Sequence, residues 1–264
     1  MTTITEFQAN ARKVFGTVET HTSHADPISF LYSMSWNVPN GAAFPEDMLA
    51  TMNVNFDERG CFGRAVKGSV LTEQLFPNHT LYAGEVCDDL LRTWLLADAT
   101  QEKWNDETFI AELLQYENPH VVLVDEAGNQ FDPLFKELTL MPKKLRHPSV
   151  VQHTLWEGLH SAYLVSEAIV HRNTNVDAYL ATLEHAHTLY PNVVLVKENL
   201  ASAYCLVGQY EKAIILAKEV AKVRKDAKTL LFLWLLTNDV KYKHSITEQY
   251  DEKVFDFLTK NIQV

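Results

Sequence analysis

Cysteine is scarce in this chain, with three among 264 residues at positions 61, 87 and 205. Three thiols cannot all pair, and their spacing fits no disulfide framework, so a reducing, cytoplasmic setting is expected. Glycine is also sparse, at nine residues, and no glycine-rich phosphate loop or dinucleotide fingerprint occurs. Long hydrophobic runs are missing: nothing approaches the roughly 18 to 20 apolar residues of a membrane span. The stretch from Met1 to Phe15 has no apolar core of the kind a signal peptide carries. Positive charge is in deficit, with 23 Lys and Arg against 34 Asp and Glu, a formal net charge of -11. Such a chain repels a phosphate backbone at long range, which argues against nucleic acid as a partner. The one basic patch, Lys143-Lys144-Leu145-Arg146-His147, reads as a solvated linker.

What is present is an ordinary globular composition, 47% apolar and 22% charged, on a chain long enough to bury a core without staples. Its punctuation changes near residue 140. Before that point turn residues separate short apolar runs, which reads as mixed α and β. From about Val150 the only glycines are Gly158 and Gly208 and the only proline is Pro191. Apolar residues there recur at three and four, which reads as all helix. Two prolines, Pro142 and Pro148, bracket the joint. The expected organisation is therefore an α+β domain over residues 1–140 and a helical domain over 150–264.

Within the first part, Phe62 to Phe76 is a helix candidate with Ala65, Val66, Val70, Leu71 and Leu75 near one face, and Asn55 or Asp57 as its cap. His79 to Val86 reads as a strand and Asp106 to Tyr116 as a second helix. Residues 120–124 and 130–134 read as strands of a hairpin turning at Glu126-Ala127, with Gly128 available for a positive φ.

Three residues stand in an order and a local context that point to chemistry: Cys61, His120 and Asp132. A cysteine at a helix start meets free backbone N–H groups and the positive end of the helix dipole, both of which favour thiolate. A nearby imidazole stabilises that thiolate and protonates the leaving group. A carboxylate holds the imidazole's tautomer and orientation. The hairpin puts His120 and Asp132 on one face in either register, opposite each other or two residues offset. Taken singly, Cys61 also suits a buried apolar site, His120 a strand surface, and Asp132 a strand end. As upstream oxyanion donors, Trp36, Asn53 and Asn55 are available.

Other constellations are weaker. His147, His153, His160, His171, His185 and His187 crowd the helical part, but no pair has the one-face spacing a metal site needs. His153 and His160, seven apart, read as a solvated face. No metal or nucleotide cofactor is expected.

The trio and its surroundings resemble the transglutaminase-like group of papain-type cysteine enzymes, which includes the arylamine N-acetyltransferases. The likeness covers about residues 30 to 138. It is carried by Arg59-Gly60-Cys61 before a helix ending Leu71-Thr72-Glu73-Gln74-Leu75-Phe76, by the strand Leu81 to Val86, by His120 opening a strand, and by the Asp132-Pro133 pair. It implies a helix packed on an antiparallel sheet, with Cys61 as nucleophile, His120 as acid–base and Asp132 as orienting group; for the oxyanion donor it favours Trp36 slightly over Asn53 and Asn55, and no local motif decides among the three. The separation of Cys61 and His120, 59 residues, is longer than in compact members. An acidic stretch from Asp88 to Glu117 fills it and is a candidate pocket-former.

Asn199 to Ile214 resembles a tetratricopeptide repeat, with Ala201, Tyr204, Gly208, Tyr210 and Ala213 at its characteristic positions. Ala186 and Pro191 fit the end of a preceding partial repeat, and Leu230 to about Lys260 reads as a terminal helical pair. Each unit leaves an apolar face for a neighbour. Two function classes follow. One is a cysteine-dependent acyl transferase or hydrolase acting through an acyl-Cys61 thioester on a peptide, protein or carrier-bound substrate. The other is an idle fold of the same type, serving as a scaffold whose helical repeats hold a peptide or protein partner. A membrane or nucleic-acid role is expected in neither.

Overall fold

A computed structural model describes residues 2–16, 24–33, 61–86, 103–115, 120–131 and 150–261. They form an α+β fold of eleven α-helices and one four-stranded sheet among the described residues. The contact pattern divides the chain into two units. The first holds Met1–Glu85, His120–Arg146 and Val151–Val196; the second holds Val86–Pro119, His147–Val150 and Lys197–Val264.

The first unit is built on the sheet order β3-β2-β1-β4. Its strands are β1 (Leu81–Val86), β2 (His120–Asp125), β3 (Gln130–Phe131) and β4 (Val150–Thr154). The expected hairpin forms: β2 and β3 run antiparallel with Leu123 opposite Phe131 and Val124 opposite Gln130. Gly128 adopts φ 77°, and the turn closes through Gly128 N–H donating to Asp125 O at 2.9 Å. The Asp125 carboxylate then accepts from the Asn129 backbone at 2.7 Å and its side-chain amide at 2.8 Å. Val121, Val122, Leu123 and Val124 are all buried, so both faces of β2 are covered, as a continuous apolar strand requires.

Helix α1 (Ile4–Phe15) begins with a capping box. Thr3 Oγ1 accepts from Glu6 N–H at 3.3 Å while Thr3 N–H donates to the Glu6 carboxylate at 2.8 Å. Its buried face is Phe7, Ala11 and Phe15, four residues apart each time. Helix α2 (Pro27–Ser33) packs on β2 and β3, and Tyr32 donates to Gln130 O at 3.0 Å. Helix α3 (Cys61–Leu75) packs on β2 and α1. The expected helix thus starts one residue earlier, at Cys61 itself. Its buried hydroxyls turn back onto the helix, Ser69 to Ala65 O at 2.7 Å and Thr72 to Gly68 O at 2.8 Å, so burial leaves neither unpaired. The caps Asn55 and Asp57 lie outside the described residues.

The reading of everything after Val150 as helix is corrected at its first element. Val150 to Thr154 forms β4 at an edge of the sheet, as its β-branched content permits. Helix α5 (Leu155–His171) follows without a turn and packs on β2, α3 and α1. Gly158 lets α5 lie close to β1: a Cβ there would lie 2.5 Å from the Ala83 Cβ. Helix α6 (Val176–Leu189), capped by Asn175, forms a hairpin with α5. Helices α5 and α6 fall in the unit that holds most of the sheet.

The second unit contains most of α7 (Val194–Leu206), then α8 (Tyr210–Val223), α9 (Ala227–Thr237), α10 (Val240–Gln249) and α11 (Glu252–Asn261). The turn between α7 and α8 uses Gly208 at φ 73°, and Ala201 and Ala213 are buried. Ahead of these helices in the chain, a 3-10 turn (Lys103–Asn105) leads into α4 (Glu107–Gln115). Trp104, Phe109, Ile110 and Leu114 join Leu230, Leu231, Ile246, Tyr250, Val254 and Phe255 in one core cluster. The stretch read as a candidate pocket-former thus spends its apolar face, over its described part, on the C-terminal helices.

Candidate functional site

Cys61 is the first residue of α3, and His120 is the first residue of β2, the strand on which α3 packs. Only the backbones of these two residues are described. Asp132 and Trp36 lie outside the described residues, as do Asn53 and Asn55. The β2–β3 pairing joins odd with odd and even with even residue numbers.

A cavity of about 700 Å³ opens in the first unit between the C-terminal half of α3, the start of β1 and the start of α5. Its lining includes Thr72, Glu73, Phe76, His79, Tyr82 and Trp156. Counting 1.5 Å per residue, Thr72 stands about 16 Å along the helix from Cys61. The cavity is therefore at the other end of α3 from the thiol's backbone. Across it, the Trp156 indole donates to Glu73 at 2.5 Å, and Arg12 donates to the same carboxylate at 3.3 Å.

No family model, curated protein or solved structure matches this chain.

Two buried polar networks in the first unit escaped the sequence reading. His153 and His160 do not share a solvated face: the first is in β4 and the second in α5, only 1% exposed. The His160 ring sits among Phe7, Tyr163 and Tyr190. Its Nε2 is 2.8 Å from Thr2 O, which can only accept, so Nε2 carries the proton. Nδ1 then accepts from the Tyr190 hydroxyl at 2.6 Å. Burial holds the His160 pKa below its ordinary value, and His185 adds to this, while the Thr2 carbonyl opposes it. Burial likewise pushes the Tyr190 hydroxyl up to about 12, helped by the Glu157 carboxylate. The ring is thus a neutral clamp on the N-terminal segment.

The second network centres on Glu85 in β1, which is buried. Its carboxylate is 2.8 Å from His153 Nε2 and accepts from Val194 N–H at 3.0 Å and Leu195 N–H at 2.7 Å. Two of the orphan amides at the start of α7 are satisfied this way, by a side chain about 110 residues earlier. A lone Glu in a strand gives no sequence signal of such a role. Among the described residues no group of three or more His, Cys, Asp or Glu is arranged to hold a metal ion, and no helix is long and apolar enough to cross a membrane.

Proposed function

We propose that this chain is a cysteine-dependent acyl transferase or hydrolase on a transglutaminase-like, papain-type α+β core. Cys61 is its nucleophile, His120 its acid–base, Asp132 the group orienting the imidazole and Trp36 an oxyanion donor. The observation that carries the reading is that Cys61 begins a fifteen-residue helix packed on the strand that His120 begins. At that position the first-turn N–H groups and helix dipole favour thiolate. The sulfur attacks an amide, ester or thioester carbonyl and forms an acyl-Cys61 thioester as the leaving amine, alcohol or thiol takes its proton from His120. An amine or water, deprotonated by His120, then releases the acyl group and restores the thiol. The helical hairpins from α7 onward support a peptide or protein partner, with tetratricopeptide-like repeats as its docking surface.

Intact-mass analysis after incubation with amide, ester and thioester donors tests this. An acyl adduct is expected on the wild type and not on Cys61→Ala. Labelling by iodoacetamide near neutral pH gives a second reading. Cys205 is half-buried, and burial pushes its thiol pKa up, so it should react slowly. Fast labelling of Cys61, slowed at least tenfold in His120→Ala, supports the enzyme. Equal rates at Cys61 in both proteins, with no adduct from any donor, leave the scaffold reading in its place.

A further inference from the structure

Helix α8 has an outward face that neither the acyl-transfer chemistry nor the core of the second unit uses. It buries Ala213, Leu216, Ala217 and Val220. At 3.6 residues per turn the opposite face is Glu211, Ile215, Lys218 and Lys222, and all four are exposed. Ile215 is 59% exposed, and Val240, which begins α10, is 75% exposed. No other large apolar side chain among the described residues is more exposed than these two. One exposed aliphatic is ordinary, but these two flank a single lysine. Lys218 lies one turn along α8 from Ile215, and its charge acts on Asp239, the N-cap residue of α10 next to Val240.

The charge of this face runs against that of the chain, whose net charge is -11. Lys218 and Lys222 are on the face, and the exposed Lys225 follows just beyond the helix end. Asp239 is spoken for: it pairs with Lys241 at 2.6 Å as well as feeling Lys218. Glu219, beside Lys222 on the helix, turns to Lys197 at 2.7 Å. Glu211 is at the start of the helix, roughly 16 Å from Lys222. Among the described residues no carboxylate pairs with Lys222 or Lys225. The face therefore presents positive charge beside two bare aliphatic side chains.

We propose that this face docks an acidic peptide segment of a protein partner. The segment sets Asp or Glu side chains against Lys218 and Lys222 and apolar side chains against Ile215 and Val240. An extended anionic surface such as a membrane would act on the whole chain and be repelled by its net negative charge. A short segment is felt over about one Debye length, about 8 Å at physiological salt, and within that distance the lysines dominate. The inference rests on the reading of the helical part as a docking surface and not on the chemistry of Cys61, so Cys61→Ala should bind as the wild type does.

Fluorescence anisotropy on the full chain tests it, with a fluorescein-labelled peptide of Glu-Leu-Ser triplets as probe and its Gln-Leu-Ser counterpart as control. The acidic peptide is expected to bind and the control to bind about tenfold more weakly, since each exposed pair contributes a factor of a few. Raising the salt from about 0.1 M to about 1 M shortens the Debye length from about 10 Å to about 3 Å and should erase most of that difference. The double variant Lys218→Gln with Lys222→Glu should weaken the acidic peptide about tenfold or more and spare the control. Both positions are exposed, and glutamine at 218 avoids a second carboxylate beside Asp239, so the thermal midpoint should hold. Ile215→Ser should weaken both peptides alike. No anisotropy change at about 100 µM chain, enough to half-saturate a ~100 µM site, would overturn the proposal. Equal binding of the acidic peptide by the wild type and the double variant would also sink it, while leaving docking elsewhere on the helices standing. Co-sedimentation with phosphatidylserine vesicles that the double variant loses would refute it in a third way, by giving the face to a membrane.

Discussion

Replacing Glu85 with alanine should damage the first unit more than any surface change could. The buried carboxylate accepts from two backbone amides at the start of α7, one buried and one half-buried, and pairs with the half-buried His153. Losing a helix cap costs about 1 kcal/mol. Leaving buried donors without an acceptor costs about 1 to 3 kcal/mol apiece. Relief from burying a charge offsets part of this, so a net loss of about 3 to 5 kcal/mol is expected for Glu85→Ala. Glu85→Gln keeps one acceptor oxygen but turns an amide NH₂ toward a backbone N–H, and about half that loss should follow. Urea unfolding followed by tryptophan fluorescence measures the totals. Amide exchange at Val194 and Leu195 measures the local effect, since those two should open first. A loss below about 1 kcal/mol in the alanine variant, with unchanged exchange at both amides, would refute the capping argument.

Gly158→Ala should cost about 1 to 3 kcal/mol, because the new methyl meets the Ala83 Cβ at 2.5 Å and neither helix nor strand can easily yield; its thermal midpoint checks this. Ile110→Ala should cost about 2 to 5 kcal/mol, as a buried member of the second unit's core, and should be seen in denaturant unfolding. Because the His160 pKa is lowered in the folded chain, the unfolded chain takes up the proton first as pH falls below the ordinary 6.5. Stability should therefore be level above about that pH and decline beneath it until the folded ring also protonates. Urea midpoints between pH 5 and 8 should show a shallower decline in His160→Gln than in the wild type.

Local signals in the chain were read well. Helix α3 and the Gly128 and Gly208 turns depend on neighbours within a few residues, and they occur where spacing and glycine placed them. Strand β4 was missed because Thr154 runs into Leu155 with no turn residue between, so five strand residues looked like the start of a helix. Helix α1 is signalled by Phe7, Ala11 and Phe15 and by the Thr3–Glu6 pair, a short pattern set in polar sequence. The burial of His160 and the role of Glu85 depend on partners 158 and about 110 residues away, a kind of information that a window along one chain does not contain. For the candidate site, the elements that begin with Cys61 and His120 were legible to within a residue. Their pairing across α3 and β2 is tertiary.

The placement of α4 with the C-terminal helices has a consequence for how the polypeptide can be made and cut. Trp104, Phe109, Ile110 and Leu114 leave the ribosome long before Val254 and Phe255, the groups they are to meet. Until the last two helices emerge, that greasy stripe has nowhere native to go, so it is the natural client of a chaperone during synthesis. By the same logic a fragment beginning at residue 150 would be born without four of its own interior side chains. It should aggregate where the intact chain does not.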